Sequence, residues 1–96
     1  MNISMPKGKL TQEQEKAFKN VETLLQNMIK DRSVPRNIKR VAQQGISMIH
    51  EVNETPGVLA SNIMYLVDDL AQDPNIPFHS RTTIYRIISL LETIKD

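Results

Sequence analysis

The sequence predicts an all-α fold: two helical hairpins closed on each other as a four-helix bundle. Three observations carry that expectation. Apolar residues recur at spacings of three and four in four separate stretches, within residues 18–29, 38–52, 59–70 and 84–94. Proline-bearing breaks at 31–35, 53–57 and 73–77 separate those stretches. Residues 21–52 also slide onto residues 63–94 at an offset of 42, without a gap.

At that offset Leu24 meets Leu66, Asp31 meets Asp73, Pro35 meets Pro77 and Ser47 meets Ser89. Apolar residues meet in kind at Val21/Ile63, Leu25/Val67, Met28/Leu70, Val34/Ile76, Ile46/Ile88, Met48/Leu90, Ile49/Leu91 and Val52/Ile94, and Lys39 meets Arg81. An internal repeat of roughly 40–47 residues with two helices has the length of a HEAT-like unit. Two such units are too few for a solenoid and are expected to pack face to face.

The elements follow in order. Residues 1–10 carry Pro6, Gly8, Lys7 and Lys9 and few apolar groups, and are expected to form a flexible arm before a single domain at 11–96. Thr11 and Gln14 have the spacing of a capping box and open helix 1. Its stripe is Phe18, Val21, Leu24, Leu25, Met28 and Ile29, and Asp31-Arg32-Ser33 ends it. For helix 2, Ser33 is a good N-cap, as is its counterpart Asn75 for helix 4. The prolines Pro35 and Pro77 fall in the first turn, where a missing amide costs little. Alternatively, Pro35 is itself the first helical residue, with Val34 packing outside as an apolar staple.

The inward face of helix 2 is read as Ile38, Val41, Ala42, Gly45, Ile49 and Val52. Gly45 costs ~1 kcal/mol of helix propensity against alanine and implies close approach by a neighbouring helix. Thr55 caps helix 3 and Pro56 takes its first position. Leu59, Ile63, Leu66, Val67 and Leu70 line its core face. Helix 4 runs from about Pro77 to Lys95, with Ile84, Ile87, Ile88, Leu91 and Ile94 inward and Tyr85 and Leu90 widening the apolar surface.

Composition narrows the function. The chain has 96 residues, 40% hydrophobic and 24% charged, the profile of one globular domain. It has no cysteine, which removes disulfide and thiolate chemistry and fits a reducing compartment. No apolar run approaches the ~20 residues that span a bilayer, and no signal-like apolar stretch follows Met1. A cytoplasmic protein with no membrane contact is expected. Net charge is +1, yet residues 1–48 carry +5 and residues 49–96 carry −4. Such asymmetry fits attraction between the halves, a solvated surface, or an anionic partner.

No reactive constellation assembles in the sequence. His50 and Glu54 lie four apart, a ligand spacing, but the helix is ending there and a solvated pair explains them. His79 lies near Asp73, where a local hydrogen bond is the plain reading. Asp68, Asp69 and Asp73 form an acidic cluster whose successive carboxylates diverge on a helix. Neither a phosphate-cradling glycine loop nor a nucleophile elbow occurs. The expectation is a non-enzymatic chain needing no metal or cofactor. Arg32, Arg36, Lys39 and Arg40 share the outer face of helix 2 and are candidate phosphate contacts. The second unit does not repeat that run, because Phe78 replaces Arg36 and Thr82 replaces Arg40; nor does any aromatic interleave it.

Two stretches carry a resemblance. Asp31, Val34, Pro35, Arg36, Asn37, Ile38, Lys39 and Arg40 form one; Asp73, Pro74, Asn75, Ile76, Pro77, His79, Arg81 and Thr82 form the other. Together they resemble the hallmark stretches of uncharacterised protein family 0147, small archaeal proteins, over about residues 17–92. The resemblance implies a compact four-helix bundle and no established activity. It directs attention to Arg36, Asn37, Arg40, Pro77, His79 and Arg81, whose structural role would be capping, turn-making and ties between the two elbows. The leading functional expectation is a helical protein-interaction module, forming a homodimer through helix 4 or engaging another protein. The alternative is a nucleic-acid- or ribosome-associated protein using the basic face of helix 2.

Overall fold

Four helices follow one another along the chain: α1 (Gln12–Lys30), α2 (Arg36–His50), α3 (Pro56–Ala71) and α4 (Phe78–Glu92). The structure is a computed structural model, and it describes residues 10–50 and 54–96. Of the arm expected at residues 1–10, residues 1–9 lie outside those described, as does the inward placement of Val52; Leu10 is half-buried against the core, so it belongs to the domain. Among the described residues there is no strand. Each helix packs on its two neighbours in the cycle α1–α2–α3–α4, so the hairpins α1–α2 and α3–α4 close into a bundle.

The stripes become the core. Phe18, Val21 and Leu25 of α1, Ile38 and Ile49 of α2, Ile63 and Val67 of α3, and Ile84, Ile87 and Leu91 of α4 are almost wholly shielded from water. Ala17, Ile46, Ala60 and Ala71 join them, while Leu24, Ile29, Val41 and Ile88, expected inside, are half-buried at the flanks. Val34 and Ile76 of the elbows enter the same core. They do not act as staples, because the fourth helical positions opposite them are Lys39 and Arg81.

Gly45 sits where α2 meets α1 and α3. A Cβ there would stand 3.1 Å from Leu25 Cδ1 and 3.6 Å from Leu66 Cδ2. The close approach inferred from the glycine is present.

The capping box of α1 forms as expected. The Gln14 amide donates to Thr11 Oγ1 at 3.0 Å, and the Thr11 amide donates to Gln14 Oε1 at 3.1 Å. The starts of α2 and α4 differ from expectation. Ser33 and Asn75 are not N-caps, and Pro35 and Pro77 stand just before the first helical residue, with Pro77 as N-cap in extended conformation (φ −61°, ψ 148°). Carboxylates upstream explain the shift: Asp31 Oδ1 accepts from the Ser33 amide at 2.9 Å, and Asp73 Oδ1 accepts from the Asn75 amide at 2.8 Å. These local turns hold Ser33 and Asn75 outside the helix. The proline carbonyls then accept from Ile38 and Lys39 in one elbow, and from Ser80 and Arg81 in the other.

Thr55 is the N-cap of α3, but its hydroxyl bonds no helix amide. Asp96 does that work instead. Its Oδ1 accepts from the Gly57 amide at 2.7 Å and its Oδ2 from the Thr55 hydroxyl at 2.9 Å. An anionic acceptor is favoured at a helix N-terminus. Gly57 permits it, since a Cβ there would lie 3.0 Å from Asp96 Oδ1. Nearby, Gln14 Nε2 donates to the Lys95 carbonyl at 2.6 Å, tying α1 to the end of the chain's fourth helix.

Two stability outcomes follow. Gly45→Val should lower unfolding free energy by about 1–3 kcal/mol through overpacking, measured by urea denaturation. Ser80 is 1% exposed and its hydroxyl has no hydrogen-bond partner. Ser80→Ala should therefore raise stability by up to ~1 kcal/mol, because it removes a buried unpaired hydroxyl.

Candidate functional site

Both elbows lie at one end of the bundle, and each is tied to the other. His79 Nε2, at the start of α4, donates to Asp31 Oδ2 at 2.7 Å. Asn37 Nδ2, at the start of α2, donates to Asp73 Oδ2 at 3.1 Å. Asn37 and His79 stand 42 residues apart, as do Asp31 and Asp73. The two braces are therefore reciprocal: each helix start reaches the aspartate that organises the opposite elbow. The expected bond between His79 and Asp73 does not form. Asp73 is occupied by Asn75 and Asn37, and the imidazole turns to the other hairpin.

Asp31 is the most heavily used group at this end. It accepts from the Ser33 amide, from the Ser33 hydroxyl at 2.6 Å and from His79. The Ser33 hydroxyl, then the His79 bond and the Ser33 amide, hold its carboxyl down at about 2, against an ordinary value of 3.8. Ser33, His79 and Asp31 thus meet, which the sequence reading missed because they come from different hairpins. They are not a nucleophilic triad. The Ser33 hydroxyl donates to the carboxylate, and the one imidazole nitrogen near it, 3.4 Å away, already serves Asp31. No base is directed at the serine, and the cluster acts as a fastening.

Arg81 fastens the same end. Its Nε donates to the Ala71 carbonyl at 3.1 Å, satisfying an open carbonyl at the end of α3. His50 is also held between helices: its Nε2 lies 2.8 Å from Glu22 Oε1 on α1. The spacing with Glu54 is not used: His50 is partnered by Glu22, and Glu54 is exposed. Among the described residues no group of three or more histidines and carboxylates could hold a metal ion.

The cationic residues are placed differently. Arg32, Arg36 and Arg40 are exposed and Lys39 is half-buried. The ion pairs among the described residues are Lys19–Glu15, His50–Glu22 and His79–Asp31, so none of these four cations is neutralised by one. A second surface lies on the opposite hairpin. Among the described residues, Val58, Tyr65, Phe78 and Tyr85 are the exposed large apolar side chains, and all four belong to α3 or α4. A groove of about 280 Å³ between those helices is lined by Ser61, Met64, Tyr65, Asp68 and Ile88. Periodicity had marked the inward residues of α3 and left Tyr65 unremarked.

The Asp31 geometry has a pH consequence. Its folded pKa lies below its unfolded one, so the ionised carboxylate stabilises the fold above about pH 4. That contribution should fade as pH falls from about 4 toward 2. Asp31→Asn should lower stability at neutral pH and flatten this acid limb, as followed by helicity against pH. Asn37→Ala and Asp73→Ala should be non-additive in a double-mutant cycle, since either change removes the same brace.

Comparison with known proteins places the architecture. The model of an uncharacterised protein family (UPF0147) matches residues 5–94, further at both ends than the resemblance over about residues 17–92. A family protein from Saccharolobus islandicus is 42% identical over 82 residues, covering 85% of this chain and 92% of its own. One from Desulfurococcus amylolyticus is 39% identical over 82 residues, covering 85% of this chain and 90% of its own. The crystal structure of a family protein from Thermoplasma acidophilum matches with a TM-score of 0.81 at 33% identity, covering 88% of this chain and all of that one (100%). A crystal structure of a second protein of unknown function matches at a TM-score of 0.81 and 35% identity, over 93% of this chain and 99% of its own. The chain belongs to the uncharacterised protein family UPF0147.

Proposed function

We propose that this protein is a non-enzymatic helical interaction module whose contact face is the outer side of α3 and α4, and that it forms a homodimer through that face. One observation carries the reading: the exposed large apolar side chains Val58, Tyr65 and Tyr85 all belong to this hairpin, with Phe78, the fourth among the described residues, set apart at its elbow end. Tyr65 is 80% and Tyr85 53% exposed. Met64 and Ile88, half-buried, line the groove beside Tyr65. Exposed apolar groups gathered on one face mark contact sites more often than solvated surface. Tyrosine suits an interface, since its ring buries area while its hydroxyl keeps a polar partner.

The area is of the right order for a second copy. Aromatic side chains bury ~150–250 Å² each, so the two tyrosines, partly covered already, would supply roughly a quarter to two-fifths of the ~800 Å² per partner typical of a stable interface. Val58, Met64 and Ile88 extend the patch. A two-fold dimer needs one self-complementary patch, and here groove and protruding ring lie side by side. The remaining polar clusters act as fastenings, which supports a non-catalytic role. No helix among the described residues is long and apolar enough to cross a membrane, and the cysteine-free chain fits a cytoplasmic location.

Sedimentation velocity at micromolar concentration tests the homodimer. The unaltered protein should sediment as a dimer, and a Tyr65→Lys/Tyr85→Lys double variant as a monomer of unchanged helicity. A strict monomer of the unaltered protein would remove the homodimer.

A further inference from the structure

We propose that the elbow end of the bundle, apart from the α3–α4 side face, binds single-stranded nucleic acid, with Phe78 as a stacking platform and Arg32, Arg36, Lys39 and Arg40 on the phosphates. The sequence alone argues against base stacking, because no aromatic interrupts the basic run. The fold supplies one from the other hairpin. Phe78 is the first residue of α4, and its neighbour His79 bonds Asp31, the residue beside Arg32. Arg36 is the first residue of α2, and its neighbour Asn37 bonds Asp73 in the Phe78 elbow. The braces thus bring Phe78 and the basic run to one end of a molecule whose shorter extents are 23 and 19 Å.

Phe78 is 80% exposed, and no packing role accounts for a phenyl ring on the first turn of a helix. The four cations at the same end have no ion-pair partner among the described residues. Two carboxylates of this end are engaged elsewhere, Asp31 by Ser33 and His79 and Asp73 by Asn37 and Asn75, while Asp68 and Asp69 stand exposed in the last turn of α3. An exposed ring and a run of exposed cations at one end form the combination that single strands require, since rings stack on bases and cations track the backbone. A duplex hides its base faces and would leave Phe78 unused.

The test is fluorescence anisotropy of the full chain with labelled single-stranded RNA and DNA oligonucleotides of mixed sequence, beside a duplex of equal length. Single strands of either kind should bind at low salt and more tightly than duplex. Phe78→Ala should weaken single-strand binding about 5- to 100-fold, the loss of one stacked base, and leave the salt dependence unchanged. Arg36→Glu/Arg40→Glu should reduce the salt slope, by about 0.7 per lost phosphate contact. Both variants alter exposed positions, and circular dichroism verifies that they fold. Absence of single-strand binding at low salt, equal affinity for duplex, or full affinity in Phe78→Ala would overturn the proposal. Tyr65→Lys should bind single strands normally, which separates this site from the side face.

Discussion

Neither hairpin can shield its own apolar stripe. Two antiparallel helices cover each other along one seam and leave the rest of each stripe in water. The core of this protein draws fully buried side chains from all four helices, so the stripes become shielded only when the hairpins close on each other. Each such aliphatic side chain contributes about 1.5–3 kcal/mol on burial. A typical hydrogen bond contributes ~0.5–1.5 kcal/mol, and the elbow braces are exposed. The closing of the hairpins is therefore driven by the core.

The polar groups decide how the hairpins sit. An apolar stripe tolerates small slides and rotations of its partner, because burial is not directional. Bonds at both ends of the bundle are directional. Asp31–His79 and Asn37–Asp73 pin the elbow end, and Asp96–Gly57 and Gln14–Lys95 pin the other. Gly45 sets the spacing between, since a larger residue would push Leu25 and Leu66 away. Few of these contacts are worth much alone, but together they select one arrangement from several of similar burial.

The helical stripes, the capping box and the meaning of Gly45 were legible because each depends on residues a few positions apart. The elbow starts were misread for a local reason. Ser33 has the chemistry of a cap, yet Asp31 two residues earlier competes for its amide and hydroxyl and wins with a charged acceptor. The partners of His50 and His79 lie 28 and 48 residues away, and proximity along the chain favoured Glu54 and Asp73 instead. A trace of the exchange was present even so: at the 42-residue offset Asn37 aligns with His79, and Asp31 with Asp73. Each of these aspartates takes a partner from the opposite elbow's helix start. Tyr65 left no such trace, because a lone aromatic on the polar side of a stripe does not alter its periodicity.

The apolar side face and the basic end occupy different parts of the surface, and this separation has a geometric consequence. A two-fold axis through the α3–α4 face can lie along the bundle or across it. Along the bundle, the two elbow ends of the dimer would point the same way and present their cations together. Across it, they would point in opposite directions, one at each end. Only the first arrangement lets a single strand touch both copies, and linked contacts strengthen binding only when the geometry permits both at once. Under the two proposals together, the oligomeric state and the length of strand bound are therefore coupled. A site spanning two ends requires the parallel dimer, and a site confined to one end leaves the pairing of the side faces to serve another purpose.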